Sequence, residues 1–330
     1  MSSISVRDVA ALAGVSVGTV SNVLNRPEKV SEDARLRVQD AIAKLGFVRN
    51  DAARQLRAGR SRSIGLVVLD AGNPFFMDLA RGAEDRAADE GLAVLLGNSD
   101  DTASRESAYL DLFEEQRVSG VLISPLGDAM SRLERLRERG IPTVLVDRES
   151  HNSAFSSVSV DDVAGGRLAV EHLLSIGRRR VAFVGGPLSI RQVSDRLSGA
   201  RQAVAEVADA RLETLVTGAL TVLEGRAIGE AVLARPAAER PDAIFCANDL
   251  LAVGVLQALM LLGDVRVPDD IALIGYDDIA FASAAVVPLS SIRQPSALIG
   301  ATAVELLLDP GEPRQVVFQP ELVVRASTVG

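Results

Sequence analysis

Apolar residues in the first fifty positions recur at helical spacing, whereas from position 63 onward they come in short unbroken runs. Val9, Ala10 and Ala13, followed by Val20, Val23 and Leu24, mark two short helices that pack across a sharp turn at Gly14. Ser5 is followed three residues on by Asp8, and Ser16 by Thr19 and Val20. Each serine is therefore expected to cap a helix by accepting from orphan backbone N–H groups. A third helix, capped by Ser31 and apolar at Val38, Ile42 and Leu45, closes a miniature core. The later runs are SIGLVVLD (63–70), LAVLLGN (92–98), GVLISP (120–125), PTVLVDR (142–148), VSVDD (158–162), RVAFVGG (180–186), DAIFCAND (242–249) and DIALIGYDD (270–278). Amphipathic segments separate them, and strands buried on both faces between helices predict parallel sheets with covering layers. About 268 residues exceed one ordinary doubly wound unit, so two are expected side by side. The predicted organisation is a helical headpiece (1–48), a linking segment (49–62) and an α/β core (63–330). One core subdomain covers about 63–160 and 291–319, the other about 161–290 and 320–330.

Charge sharpens this division. Residues 1–62 hold 11 Lys and Arg against 6 Asp and Glu, net +5, while the remainder holds 24 against 38, net −14. Affinity for nucleic acid follows from local cations that displace counterions from phosphates, so the whole-chain charge of −9 conceals a basic headpiece. The second helix leaves Val17, Gly18, Ser21 and Asn22 outward, small and polar groups that suit insertion into a DNA major groove. Val17 and Gly18 offer only methyl contact and close approach. Thr19, Ser21 and Asn25 are expected at phosphates, which set register without specifying sequence, and Ser5 at the start of the first helix is a further candidate for DNA contact. Lys29 reaches either phosphates or bases. The plain alternative is an ordinary helical hairpin in a larger domain.

The segment SVRDVAALAGVSVGTVSNVLN (5–25) resembles the headpiece of the lactose-repressor and purine-repressor family of bacterial transcription factors. FVRNDAARQLRAGRS (47–61) is similar to the family's hinge. Asn50 there caps a helix running to about Ala58, too short to be stable alone and expected to fold on DNA. Leu56 lies among Arg49, Arg54, Arg57, Arg60 and Arg62, an apolar wedge for a minor-groove step flanked by phosphate-seeking cations. A basic disordered linker is the alternative. The family commonly carries proline where this chain has Arg49.

The remainder resembles the family's core, itself similar to type I periplasmic sugar-binding proteins, whose ligand lies in a cleft between subdomains. The resemblance places effector contacts at Asn73, Phe75 and Phe76 in NPFF, at Asp147, at Arg196 in SDRLSG, at Asn248 in CAND and at Asp277 in GYDD. Two carboxylates, a guanidinium and an amide suit a hydroxyl-rich molecule, and a phenyl face suits the apolar side of its ring. Each also has a structural alternative, since strand-end aspartates cap helices and Arg196 has Asp195 and Glu206 as partners. Departures from the family bear on ligand and operator. There is no tryptophan, and Leu220 and Ser296 stand where a member of the family has aromatic residues, which favours a sugar or nucleoside-like metabolite held mostly by hydrogen bonds. Asn22 stands where many members have arginine, and an amide prefers adenine where a guanidinium prefers guanine.

Other classes fit poorly. The single cysteine, Cys246, excludes a disulfide scaffold, and no apolar run approaches the roughly 18 residues of a membrane span. The start MSSISVRD lacks a secretory apolar region, so a cytoplasmic location is expected. The end ELVVRASTVG carries no leucine-heptad tail, so a homodimer is expected. Gly14-Val15-Ser16-Val17-Gly18 matches the nucleophile-elbow pattern, but the elbow needs a preceding buried strand and AALA is helical. The two histidines read as a loop residue (His151) and a helix residue (His172), and no dinucleotide, phosphate-loop or metal-spaced motif is present. No catalysis, cofactor or metal is expected. The resemblance implies a repressor that binds a pseudopalindromic operator as a dimer and answers to a small metabolite. A sugar-binding protein without a DNA-linked role is the alternative.

Overall fold

The computed structural model describes residues 4–47, 61–126, 129–150, 154–263, 265–309 and 311–329. Met1–Arg60 and Ser61–Gly330 form separate compact units.

In the first unit, α1 (Val6–Ala13), α2 (Val17–Asn25) and α3 (Glu32–Leu45) enclose Val9, Ala10, Ala13, Val20, Val23, Val38 and Ala41, with Leu24, Ile42 and Leu45 partly buried against them. Gly14 makes the turn at φ 63, a conformation that costs glycine little. Ser16 Oγ accepts from the Thr19 amide at 3.0 Å. Ser5 is the N-cap of α1 and forms a capping box with Asp8, in which its N–H and its hydroxyl both donate to the Asp8 carboxylate, each at 2.8 Å. A carboxylate in the first turn also favours the positive end of the helix dipole, and the bonds from Ser5 hold the Asp8 pKa below its usual value. Ser31 makes no side-chain cap to α3, whose first turn instead carries Glu32 and Asp33. The predicted hinge residues Asn50, Arg54 and Leu56 lie outside the described residues. Arg62, grouped with the hinge cations by sequence, belongs to the second unit, where its Nε donates to the Gly91 carbonyl at 3.0 Å.

The second unit is built on two six-stranded sheets with the same strand order. The first contains β1 (Ser63–Val68), β2 (Ala93–Asn98), β3 (Val121–Ile123), β4 (Thr143–Val146), β5 (Ser156–Val160) and β11 (Gln315–Phe318), in the order β11-β5-β4-β3-β1-β2. The second contains β6 (Arg180–Val184), β7 (Arg211–Leu215), β8 (Ala243–Cys246), β9 (Ala272–Asp277), β10 (Ser290–Arg293) and β12 (Glu321–Val323), in the order β12-β10-β9-β8-β6-β7. Every described pairing is parallel except β10 with β12. The chain passes between lobes after β5, after β10 and between β11 and β12. Because β10 pairs with β9, the second crossing follows Arg293, slightly later than the boundary near 291 expected from sequence.

Helices cover both sheets: α4 (Pro74–Asp89), α5 (Ala103–Glu115) and α6 (Met130–Glu138) along the first, then α7 (Asp162–Ser175), α8 (Arg191–Ala205), α9 (Val222–Leu233), α10 (Asp249–Leu262) and the short α11 (Ala280–Ala284). Helix α12 (Ser296–Leu308) returns to pack on α4. Three helix pairs share one device. Gly82 of α4 faces the Ala297 carbonyl and Gly300 of α12 faces that of Leu79. Gly166 and Gly199 do the same for α7 and α8, as do Gly225 and Gly254 for α9 and α10. A Cβ at any of these six positions would collide with the opposing carbonyl oxygen, so glycine sets the interaxial distance.

Candidate nucleic-acid interface and inter-lobe site

On α2, Val17, Gly18, Asn22 and Asn25 are exposed, as is Lys29 in the loop beyond, whereas Thr19 and Ser21 are half-buried. The Thr19 hydroxyl lies 2.9 Å from Ser16 Oγ, and Asn25 Nδ2 donates to the Ser21 carbonyl at 2.8 Å. Their polar groups are thus tied to the helix itself, which leaves the Asn22 amide as the long polar side chain on the outward face. Ser5, also exposed, is bound to Asp8. Ser16 is a helix cap on an all-helical headpiece, which accounts for the nucleophile-elbow pattern without chemistry.

All seven residues placed by sequence in the effector site line one cavity of about 390 Å³ at the carboxyl ends of strands from both lobes. Asn73 caps α4, its Oδ1 accepting from the Phe75 amide at 3.0 Å, and Phe75 and Phe76 meet edge to face with ring centroids 5.1 Å apart. Asn248 caps α10 by accepting from the Leu251 amide at 2.9 Å, and its Nδ2 donates to the Leu220 carbonyl at 3.1 Å. Both asparagines therefore fill a structural role while facing the cavity. Asp147 follows β4 at φ 56 and Asp277 ends β9 at φ 102, left-handed conformations that are unfavourable outside glycine and concentrate at functional sites.

Arg196 is the cation of this cluster. Its Nε donates to Asp162 at 2.7 Å and its Nη1 to the Ala247 carbonyl at 2.7 Å. Asp277 Oδ1 lies 3.8 Å from Nη1, and the guanidinium carbon sits 3.7 Å from the centre of the Tyr276 ring. Its buried partner is Asp162, rather than the Asp195 or Glu206 considered from sequence. Asp195 pairs with Arg191, and Glu206 with Arg167. Burial pushes the Asp147 pKa well above the carboxylate range, with the neighbouring Asp162 adding to the rise and Arg196 opposing it. Burial likewise raises Asp162 and Asp277, again against Arg196. Burial works against the Arg196 charge, but Asp162 and the other surrounding groups outweigh it and raise its pKa.

Sequence reasoning missed Gln192, Gln294, Asp162 and the rim residues Asp70, Asp100 and Asp101. Gln192 Nε2 donates to Asp147 at both the carbonyl (2.6 Å) and Oδ2 (2.8 Å), and Gln294 Nε2 donates to Asp277 Oδ1 at 2.8 Å. Of the two positions noted as departing from the family, Leu220 lines the cavity and Ser296 opens α12 outside the lining. His172 Nε2 lies 2.8 Å from Thr328 Oγ1, and burial lowers its pKa; His151 lies outside the described residues.

Residues 5–50 match the family described as bacterial regulatory proteins, lacI family, and residues 170–328 match a periplasmic binding protein-like domain. The ribose operon repressor of Bacillus subtilis (strain 168) is 35% identical over 303 residues, 92% of this chain and 90% of the relative. The chain belongs to the lacI family. Among solved structures, the lac repressor dimer bound to operator and the anti-inducer ONPF matches at 27% identity and TM-score 0.84, covering 100% of both chains. A LacI family transcriptional regulator from Enterococcus faecium with bound ribose matches at 28% identity and TM-score 0.74, covering 81% of this chain and 98% of that one. Family membership makes the protein a transcriptional regulator, and among the described residues no helix is long and apolar enough to cross a membrane.

Proposed function

We propose that this LacI-family regulator is a repressor that reads a pseudopalindromic operator as a homodimer through α2 and answers to a sugar of about pentose size held between its lobes. The observation that carries the assignment is the convergence of Asn73, Phe75, Phe76, Asp147, Arg196, Asn248 and Asp277 on one cavity. Carboxylates and amides in alternation present acceptors and donors to successive hydroxyls, and the phenyl pair supplies the apolar face against which a sugar ring's C–H groups lie. Leu220 lines the opposite lobe in place of an aromatic residue, so ring stacking comes from one lobe only. The ribose named for one relative and bound in one structural neighbour gives the first ligand to try.

The two functions have separate assays. Calorimetric titration with D-ribose against other pentoses, hexoses and nucleosides should give binding for a pentose, with loss on substitution of Asp147 by Ala. Selection of duplexes by the full chain should return an inverted repeat with adenine at the position opposite Asn22, shifting toward guanine in Asn22→Arg. Nucleosides binding where pentoses do not would overturn the ligand assignment; no salt-sensitive binding to any duplex would leave a sugar-binding protein without a DNA role.

A further inference from the structure

Asp147 belongs to the first lobe and Asp277 to the second, and each is held by an amide from the opposite lobe. Gln192, in the first turn of α8 and buried, grips Asp147 through two bonds from one nitrogen, at 2.6 Å to the carbonyl and 2.8 Å to Oδ2. Asn73, also buried, donates its Nδ2 to Asp277 Oδ2 at 3.0 Å. The Asn73 amide has no freedom to turn away, since its Oδ1 is committed to the cap of α4. Asp277 thereby has both oxygens occupied, Oδ2 by Asn73 and Oδ1 by Gln294. Asp147 does not: with Oδ2 taken by Gln192, its Oδ1 is buried and without a hydrogen-bond partner, in a residue that lines the cavity.

We propose that Gln192 and Asn73 are reciprocal latches across the cleft, and that Gln192 is the positioning residue that converts effector capture into lobe closure. The inference rests on the cleft being the effector site and concerns how that site is regulated. A ligand shifts a conformational equilibrium only through contacts that differ between the two states. In the closed cleft Gln192 fixes the Asp147 carboxylate with Oδ1 buried and without a protein partner, a costly condition for a buried acceptor. An effector hydroxyl donating to Oδ1 relieves that cost. In an opened cleft the same oxygen meets water, and the effector gains little by replacing it. The differential therefore exists only while Gln192 holds the carboxylate in place. Without that amide, Asp147 turns toward solvent and binding no longer favours closure.

The test uses the full chain and two readouts. In Gln192→Leu, backbone amide exchange should quicken at least tenfold in cleft peptides from both lobes, around 69–76 and 217–221, while the strand cores 64–68 and 180–184 keep wild-type protection. With D-ribose as probe, the ratio of operator dissociation constants with and without sugar should move toward one, with a smaller change in sugar affinity. Gln192→Glu sets a carboxylate against Asp147 and should open the cleft further, and adding Asp147→Asn exchanges donor and acceptor in the side-chain bond and should restore part of the protection, since the bond to the residue-147 carbonyl is not regained. A merely structural Gln192 would not be rescued by the exchanged pair. Wild-type protection at the cleft in Gln192→Leu, or no rescue in the double variant, overturns the latch. Failure of the wild type to bind D-ribose counts against the pentose assignment alone, since the exchange comparison needs no ligand.

Discussion

Asp101 lines the mouth of the cleft with Asp70 and Asp100, and burial first, then the charges of those two carboxylates, pushes its pKa up to about 6. The folded state therefore holds the Asp101 proton more tightly than the unfolded chain, whose value is near 3.8. Its contribution to stability is fully present below the unfolded value and is lost as pH rises through about 6. Asp101→Asn removes the charge and keeps a side chain that tolerates φ 50. The variant should melt higher than the wild type at pH 7.5, with a gain under about 1 kcal/mol because the group is exposed enough for water to screen it. The gain should shrink stepwise at pH 6 and pH 5; a difference constant across that range would assign it to something other than this ionisation. Residues of this kind show what sequence conveys. The family resemblance singled out Asp147, Asn248 and Asp277, and each also ends an apolar run, at the strand ends where parallel sheets bind ligands. Gln192, Gln294 and Asp162 follow no periodic signal, and their partners lie 45, 17 and 34 residues away, a proximity created only by folding.

Two helical glycines show at the scale of the element how the same residue answers to different demands. Gly166 on α7 approaches the carbonyl of Arg196 on α8 so closely that a Cβ has no room. Gly166→Ala should force the helices apart, at a cost of about 1 to 3 kcal/mol in urea unfolding, and should weaken sugar binding at the same time because the residue displaced carries the cleft's guanidinium. Gly18 on α2 is the opposite case, since a Cβ there meets only Ser16 Oγ at 3.5 Å. Nothing in the described headpiece requires glycine at that position, and alanine is the better helix former by about 1 kcal/mol. Gly18→Ala should therefore raise the headpiece's thermal stability while weakening operator binding, as expected if the missing side chain makes room for DNA. Operator affinity equal to the wild type would place the groove elsewhere on the helix. The elements themselves were largely legible, eight strands from their apolar runs and three headpiece helices from their spacing. β7 (RLETL) and the four-residue β10 (SSIR) and β11 (QVVF) were not, because polar and charged residues break up the first two and bound the short apolar stretch of the third.

For the whole molecule, the decisive property is the segregation of charge and of exposed apolar surface. β2 is an edge strand of the first sheet, and its Leu95 and Leu96 remain 40% and 39% exposed. Exposed apolar side chains on an unpaired edge invite association, and a homodimer carries two basic headpieces. Two headpieces contacting about 6 to 10 phosphates together should lose roughly a thousandfold or more in affinity between 50 and 200 mM salt, whereas sugar binding in a cleft built of hydrogen bonds should barely respond. The double substitution Leu95→Asp and Leu96→Asp places like charges against each other across a two-fold interface. It should sediment as a monomer, keep wild-type affinity for the sugar, and lose operator affinity with a salt slope about half that of the dimer, because each monomer neutralises half the phosphates. A variant that stays dimeric with an unchanged slope would move the interface away from β2. A monomer that still binds the operator with wild-type affinity would mean that a single headpiece carries recognition, and the two-fold arrangement would then have no role in reading DNA.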